Sequence, residues 1–421
     1  MSNIWRDKDL GEQAFIVIAF LILPVALFSS KAMAPLFILL VLTLIGRRIW
    51  QKNLQISVPK LSLIAFIHLL IWAGLSQLWT FDAALSGKLL PSLLALFALG
   101  LFLIAETNSI GPSSQEKINS ALAIGAGLAI ALLIFESVTG SWLTRMGRGL
   151  TWLDVINPST GGVNIEAYVK NGVALLSVLI WPVLSNLWHR RLKIGAVAFL
   201  ICTLYLIYRF SASTALIAFF ASTLGVGLAL YRKKFTAHLI AGAFAILVLA
   251  MPFGIHQSIG DKTITEIGQT GYEMKLPNSA INRLIIWQFA SKKVLEKPLA
   301  GWGMNTARQI PGGNEKYTLT IRNSAGKEHV LFKEFYVPLH THNQAIQIWL
   351  ELGAIGAVFV AVFGWLFIRK LDQGHIDPAV FGVVISILTF NFLSFGAWQS
   401  WWIAAQFLCL SLSLAATKRN S

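Results

Sequence analysis

Charged residues and cysteines are both scarce in this chain. Asp, Glu, Lys and Arg make up 13% of its 421 residues, and its two cysteines, Cys202 and Cys409, lie inside apolar runs. They are interpreted as small buried hydrophobes, which excludes a disulfide framework and a cysteine metal site. The sequence contains no phosphate-binding G-x-x-x-x-G-K-[ST] loop, no His-x-x-x-His pair and no cluster of carboxylates in the predicted outer loops. We therefore expect no ATP hydrolysis, no metal ion and no cofactor.

Apolar residues, by contrast, are abundant at 56% of the chain, and the mean hydropathy is +0.66. They fall in repeated runs of roughly 17–25 residues, the length that a helix needs to cross a bilayer. Backbone groups in lipid must be hydrogen-bonded within the protein, which favours helices. The sequence therefore predicts an all-α polytopic membrane protein. Its net charge of +15 is better explained by loop charges that set topology and contact anionic headgroups than by nucleic-acid binding.

About twelve transmembrane helices are predicted from runs of this length. The first is followed by Ala32-Met33-Ala34, which resembles a signal-peptidase site, but a second run follows at once and we expect no cleavage. The predicted spans are 12–29, 32–46, 61–80, 89–105, 119–139, 171–188, 194–209, 212–231, 239–256, 344–368, 379–396 and 398–416.

Lysine and arginine are distributed unevenly between the predicted loops. With the N-terminus inside, alternate loops hold basic clusters such as Arg190, Arg191 and Lys193, whereas the opposite short loops hold few basic residues. The positive-inside rule then places both termini in the cytoplasm. The segments 140–170 and 257–343 are predicted to lie outside.

The segment 257–343, between predicted helices 9 and 10, is too long for a simple connection. Apolar residues near 280–297 recur at helical spacing, and Gly301-Trp302-Gly303 follows as a turn that permits close backbone contact. No internal repeat or independent soluble domain is found. We expect residues 1–421 to form a single membrane domain, with this large loop as an external cap.

A short polar motif, His340-Thr341-His342-Asn343-Gln344, stands directly before the tenth apolar run. An imidazole at a helix start lies near the positive end of the helix dipole, which favours its neutral form, and the free N–H groups there attract phosphate. His342 is therefore a candidate general base, with His340 as a neighbour that orients it or contacts substrate. The alternative is that His342 and Asn343 only cap the helix.

Three polar residues share one face of the predicted tenth helix. Asn343, Gln347 and Glu351 are four residues apart. An ionisable residue such as Glu351, about two turns into a membrane helix, usually faces a bundle interior or a cavity. We predict that the three residues support the site; structural hydrogen bonding between helices is the alternative.

Further side chains that suit a phosphorylated sugar occur on the predicted outer side. Arg283 and Trp287 are four residues apart on the loop helix, where a guanidinium fork suits phosphate oxygens and an indole suits a sugar face. Arg209 lies at the outer end of the seventh span, against the charge bias, and Lys170 lies at the outer start of the sixth. A surface ion pair is the alternative for Arg283, and snorkelling to the interface is the alternative for Arg209.

Three motifs together carry a family resemblance. His342-Asn343 is followed after nine residues by Gly353 and after two more by Gly356, and upstream stand Arg283-Leu-Ile-Ile-Trp287 and Pro298-Leu-Ala-Gly301-Trp-Gly303. This arrangement resembles the bacterial O-antigen ligase and polymerase superfamily. The chain departs from the family pattern at Ser211-Ala212-Ser213, where a Ser-Arg pair is usual, and at Lys170-Asn-Gly172, which replaces Asn-Arg-Gly.

The resemblance implies a GT-C-type membrane fold and metal-free transfer of a glycan from an undecaprenyl diphosphate carrier on the periplasmic face. It implies that His342 is the catalytic residue and that Arg209 and Arg283 contact the diphosphate. We therefore expect an inverting O-antigen ligase whose acceptor is a lipid A–core sugar hydroxyl, and whose partners are the bilayer and these two lipid substrates, not nucleic acid.

Other functions stay open at this point. An O-antigen or exopolysaccharide polymerase, or a protein O-oligosaccharyltransferase, would carry the same motifs. A secondary transporter or flippase would also fit about twelve spans. Transporters usually contain paired repeats and broken midplane helices, and the sequence shows no convincing halves, so we favour the enzyme.

Overall fold

The computed structural model describes residues 10–53, 60–151, 166–323, 326–373 and 376–417. Within these ranges the chain forms a series of α-helices and one β-hairpin, with short 3-10 turns between some helices. The helices are α1 (Leu10–Phe28), α2 (Met33–Trp50), α3 (Lys60–Leu75), α4 (Ala83–Glu106), α5 (Pro112–Val138), α6 (Trp142–Gly147), α7 (Glu166–His189), α8 (Lys193–Arg209), α9 (Ser213–Ile259), α10 (Ile264–Glu273), α11 (Asn278–Glu296), α12 (Gln344–Ile368), α13 (Pro378–Leu393) and α14 (Ser400–Thr417); the hairpin strands are β1 (Lys316–Arg322) and β2 (Glu328–Phe335).

The predicted fold class, an all-α polytopic membrane protein, is confirmed. Among the described residues, eight helical segments are long and apolar enough to cross a membrane, and shorter apolar helices lie at Leu63–Leu78 and Pro378–Leu393. α9 is 47 residues long and leaves helical geometry at Arg232, so it contains two of the predicted spans. Every other predicted span also overlaps a helix. The total of about twelve crossings and the GT-C relationship stay predictions.

The helices pack around a large apolar core. α9 lies along α12 and α13, α1 packs against α5, and α3 packs against α12. Side chains from distant parts of the chain, such as Ile22, Leu133 and Trp402, are completely buried where these helices meet. The outside is apolar as well: Phe220 and Leu224 are largely exposed, as expected for a surface in contact with lipid.

The two ends of the helical bundle carry different groups. At one end, Arg48 forms an ion pair with the buried carboxylate of Glu106 over 2.7 Å, and these residues belong to loops predicted to be cytoplasmic. At the other end, the hydroxyls of Thr80 and Ser86 both donate to the carbonyl oxygen of Met304. The long loop therefore lies at the end that the charge bias predicts to be external.

We call the described residues between 260 and 343 the cap, and they have an apolar core of their own. α10 and α11 pack against the hairpin, and Ile267, Ile281 and Leu319 are buried between them. The helix predicted near 280–297 is observed as α11. The antiparallel hairpin was not predicted, although residues 316–322 alternate between exposed and buried positions, as a half-buried strand does.

Backbone hydrogen bonds join the cap to α12 at a break in that helix. Gly353 has φ +64° and ψ −165°, a conformation that is essentially restricted to glycine. The amides of Trp302 and Gly303 donate to the carbonyl oxygens of Leu350 and Glu351, each over 2.9 Å. The cap thus satisfies backbone groups that the break leaves unpaired, as apolar surroundings require.

Candidate active site

The candidate site lies where the cap returns to the bundle. Asn343 is the N-cap of α12, and its Oδ1 accepts a hydrogen bond from the amide of Ile346 over 3.0 Å. His342, one residue earlier, has a φ of +55°, which is uncommon outside glycine. Backbone strain of this kind persists only where the surroundings fix it, and it is frequent at functional sites. Capping therefore accounts for Asn343 and leaves the side chain of His342 for another role.

The ring of His342 has one nitrogen engaged and one available. Its Nδ1–H donates to the backbone carbonyl oxygen of Ser394 over 2.7 Å, just after the end of α13. Because a carbonyl only accepts, the neutral ring carries its proton on Nδ1 and a lone pair on Nε2. Nε2 has no hydrogen-bond partner among the described residues, and the side chain is half-buried. The ring therefore presents a proton acceptor to an approaching molecule.

His340 supports the backbone of His342. Its Nδ1 accepts a hydrogen bond from the amide of His342 over 3.0 Å, and the two ring centroids are 4.2 Å apart. Its Nε2 lies 3.1 Å from Nε2 of Gln399, and Gly396 packs directly against the ring. The lone pair of the neutral His340 ring is thus used at Nδ1 within the protein. This geometry favours His342 as the base and His340 as the residue that positions it.

The surroundings lower the pKa of both imidazoles. Burial is the largest cause of the fall in the pKa of His342 to about 4; the bond to Ser394 opposes this fall, and the positive charge of Arg283 adds to it. Burial also lowers the pKa of His340 to about 3, with further contributions from His342 and Arg283. Both rings are therefore neutral near pH 7, the state that a general base requires before it accepts a proton.

A guanidinium lies close enough to the two histidines to affect their charge. Arg283 belongs to α11, and its Nη1 donates to Oγ1 of Thr214 over 3.2 Å, which ties the cap to the first turn of α9. Burial lowers the pKa of Arg283, but a guanidinium still remains charged. Arginine has five N–H donors, and this is the one hydrogen bond that the side chain forms with the described residues. Arg283 therefore keeps donors for an anionic ligand.

Arg209 lies near the same helix junction. It is the last residue of α8, and only residues 210–212 separate it from α9, where Thr214 contacts Arg283. Its guanidinium carbon is 5.7 Å from the ring centroid of Phe210. Thr214 thus links the segment that carries Arg209 to the helix that carries Arg283. A role for Arg209 in binding phosphate stays a prediction.

Two other predicted contacts occupy different places. Trp287 donates from Nε1 to the carbonyl oxygen of Thr341 over 2.8 Å, so it holds the histidine-bearing segment against α11. Lys170 lies near the start of α7, is half-buried, and forms no hydrogen bond or ion pair with the described residues. Residues 152–165 of the preceding predicted loop lie outside the described part of the chain. Ligand contacts by Trp287 and Lys170 stay predictions.

The polar face of α12 forms a buried hydrogen-bond network. The carboxylate of Glu351 accepts from the amide of Asn305 over 2.6 Å, from Nε1 of Trp398 over 2.5 Å and from Nε2 of Gln347 over 3.1 Å. Oε1 of Gln347 in turn accepts from the amide of Ala397 over 2.9 Å. These bonds join α12, the cap and the connection between α13 and α14. They hold together the elements that surround the histidines, and a role of these residues in supporting the site stays a prediction.

Three residues of this site were not predicted. Ser394 and Gln399 contact the histidine rings, Trp398 contacts Glu351, and all three lie between α13 and α14. Spacing in the sequence does not place this segment beside His342. The predicted spans 379–396 and 398–416 take up all three residues, so the sequence contained no signal for them.

Two cavities border the network. The first, which we call the polar crevice, has a volume of about 360 Å³ and is lined in part by Lys88, Ser92, Asn305, His340, Trp398 and Gln399. The second, of about 220 Å³, lies between α3, α4, α9, α12, α13 and α14, has no charged side chain in its lining, and shares Trp398 with the crevice. No group of three His, Cys, Asp or Glu side chains among the described residues is placed to hold a metal ion.

Comparisons with known proteins agree with the motifs. Residues 196–361 match the sequence profile of the family described as O-antigen ligase (Wzy_C), a span that contains every predicted site residue except Lys170. The chain is 28% identical to a protein of Rickettsia typhi named "Putative polysaccharide ligase", over 79% of this chain and 75% of that protein. It is 29% identical to a protein of the same name from Rickettsia bellii, over 71% of this chain and 67% of that protein. No solved structure matches. The resemblance to the O-antigen ligase superfamily is confirmed.

Proposed function

We propose that this multi-pass membrane protein is a glycosyltransferase of the O-antigen ligase type, which transfers a polysaccharide from a lipid diphosphate carrier to a sugar hydroxyl. The observation that carries the proposal is the free Nε2 of His342 in the field of the Arg283 guanidinium. A base and a cation placed together serve both halves of a displacement: one accepts the proton of the nucleophile, and the other stabilises the leaving group. The family match and the names of the relatives support polysaccharide ligation.

In the proposed reaction, the acceptor hydroxyl attacks the anomeric carbon of the donor sugar. A new carbon–oxygen bond forms while the bond from that carbon to the diphosphate oxygen breaks, and the hydroxyl proton moves to Nε2 of His342. The diphosphate departs with the electron pair of the broken bond. Donors of Arg283 stabilise its negative charge, with Arg209 as the second proposed contact. Attack opposite the leaving group inverts the anomeric centre.

The contact with Ser394 prepares His342 for this step. It fixes the ring proton on Nδ1, and its carbonyl oxygen stabilises the imidazolium that forms when Nε2 accepts a second proton. A pKa of about 4 in the free site makes a weak base. A bound diphosphate offsets the charge of Arg283 and adds negative charge of its own, so donor binding raises the pKa of His342. Proton acceptance is then linked to the presence of the donor.

We place the reaction at the periplasmic face of the bacterial inner membrane. The lysine and arginine bias supports this placement, because it predicts that the cap and the histidines are external. The proposed donor is a polysaccharide linked to undecaprenyl diphosphate, and the proposed acceptor is a sugar hydroxyl of lipid A–core. Both substrates are anchored in the bilayer, which suits a site at the junction between the cap and the membrane helices.

A transfer assay tests the proposal directly. The purified full chain in nanodiscs is mixed with an undecaprenyl-diphosphate-linked glycan and lipid A–core, and products are separated by gel and analysed by mass spectrometry and NMR. We expect a core-linked glycan with an inverted anomeric linkage, formed equally well with and without EDTA. The absence of product would refute the proposed transfer, and loss of product in EDTA would refute its independence of metal.

Deletion of the gene separates ligation from the related activities. Loss of a ligase leaves bare core together with accumulated carrier-linked polymer, which is the result we expect. Loss of a polymerase leaves core that carries a single repeat unit. Loss of a protein O-oligosaccharyltransferase leaves the lipopolysaccharide intact and removes glycan from glycoproteins.

A further inference from the structure

We propose that the polar crevice binds the acceptor as a saccharide that carries a phosphate group, an inference that rests on the proposed function. The crevice is lined by His340 but by neither His342 nor Arg283, so it is separate from the arginine proposed to hold the donor. The ring of His340 nevertheless lies 4.2 Å from that of His342, centroid to centroid. A transferase needs two substrate positions that meet at one base, and the crevice is the second position.

The crevice contains polar side chains that the protein itself does not use. The half-buried side-chain amide of Asn305 and the exposed hydroxyl of Ser92 form no hydrogen bond with the described residues. The backbone of Asn305 is held by its amide bond to Glu351 and adopts a φ of +60°. A fixed backbone with an unengaged amide side chain provides both a donor and an acceptor for sugar hydroxyls.

An indole of fixed orientation forms another wall of the crevice. Nε1 of Trp398 donates to the buried carboxylate of Glu351 over 2.5 Å, and the residue is half-buried. A rigid aromatic face with a few convergent polar groups is the usual composition of a small-molecule site. The flat apolar face of a pyranose ring can lie against such an indole while its hydroxyls reach Asn305 and Gln399.

The charge of the crevice indicates the charge of its ligand. Lys88 is exposed, forms no ion pair with the described residues, and stands in a lining that contains no Asp or Glu. A lysine ammonium is a compact point charge that binds phosphate oxygens in many sites. Its position in the crevice therefore favours a phosphorylated saccharide over a neutral one.

The test measures the KM for the acceptor and the KM for the donor separately. The purified full chain is assayed with the lipid A–core fraction of a strain that lacks this gene, which supplies an unmodified acceptor. Lys88→Met removes the ammonium; Asn305→Gly removes the side-chain amide but keeps the backbone amide and tolerates a positive φ. Each is expected to raise the acceptor KM about 5- to 30-fold, the effect of one or two lost hydrogen bonds, while the donor KM stays nearly constant. Lys333→Met, on the exposed face of β2, is the matched control and should change neither constant.

Removal of phosphate from the acceptor provides the second arm of the experiment. Dephosphorylated acceptor should raise the KM of the native chain to that of Lys88→Met and should have no further effect on the variant, because the two changes delete the same contact. Three results would overturn the proposed acceptor site: dephosphorylation raises the acceptor KM equally in the native chain and in Lys88→Met, it raises the acceptor KM of neither, or the substitutions change only the donor KM. If the native chain transfers no glycan at all, the proposed function fails instead, so the two failures are distinguishable.

Discussion

Nδ1 of His342 donates to the carbonyl oxygen of Ser394 over 2.7 Å, which connects the end of the cap to the C-terminal end of α13. This bond decides which ring nitrogen is available, because the proton on Nδ1 leaves the lone pair on Nε2. The C-terminal end of a helix also favours a positive charge. One backbone contact thus orients the proposed base and stabilises the imidazolium that it forms.

His340 is predicted to position His342. His340→Leu removes the acceptor of the His342 amide and is expected to lower kcat about 10- to 100-fold, the range for residues that orient a reactive group, with little change in the donor KM. In His340→Asn, Oδ1 can occupy the place of Nδ1, so most of the activity should return. Steady-state kinetics of the two variants in nanodiscs check this, and equal losses in both would show that His340 does more than accept that bond.

Arg283 is predicted to bind the diphosphate of the donor. Arg283→Lys replaces a planar fork by a point charge and should raise the donor KM about 10- to 100-fold while the acceptor KM stays constant. Arg322→Lys, at an exposed ion pair with Glu328 on the hairpin, is the control and should be silent. A normal donor KM in Arg283→Lys would remove Arg283 from the donor site.

The pH dependence of transfer should report the state of His342. Activity requires the neutral ring, so it falls as the pH drops through the pKa. The pH profile of kcat/KM for the donor reports the free enzyme, and its acidic limb is expected near pH 4. The pH profile of kcat reports the enzyme with donor bound. Its acidic limb is expected at a higher pH, because a bound diphosphate raises the pKa of His342. In the unfolded chain both histidines titrate near 6.5, so folding stability should also be lost as the pH falls below that value. Coincident limbs for kcat and kcat/KM would contradict the link to donor binding.

Gly353 is predicted to be essential for docking of the cap. Its φ of +64° and ψ of −165° suit only glycine, and a Cβ atom there would collide with the carbonyl oxygen of Leu299. Gly353→Ala should therefore destabilise the protein by roughly 1–3 kcal/mol, seen as a lower midpoint in thermal unfolding and a loss of transfer. Gly242→Ala, at an open helical position of α9, should leave the midpoint unchanged or slightly raised. Similar midpoints for the two variants would argue against a strained junction.

The helices and the proposed base were accessible from the sequence for different reasons. The spans follow from the length of the apolar runs, and His342 and Arg283 follow from their motifs. Ser394 and Gln399 could not be found in the same way, since they reach the histidines only through the packing of α13 and α14. The break at Gly353 was also hidden, because its cause is the backbone pairing of Trp302 and Gly303 with α12.

The central claim is that His342 accepts the proton of the acceptor hydroxyl. Its most direct test is complementation of the deletion strain with His342→Ala, with His329→Ala, a histidine on β2 of the cap, as the matched control. We predict that His342→Ala lowers transfer about 10²- to 10⁴-fold and leaves bare core on a lipopolysaccharide gel, although the protein is produced and unfolds at the native temperature. Full-length chains on the core in normal amount from His342→Ala would contradict the account.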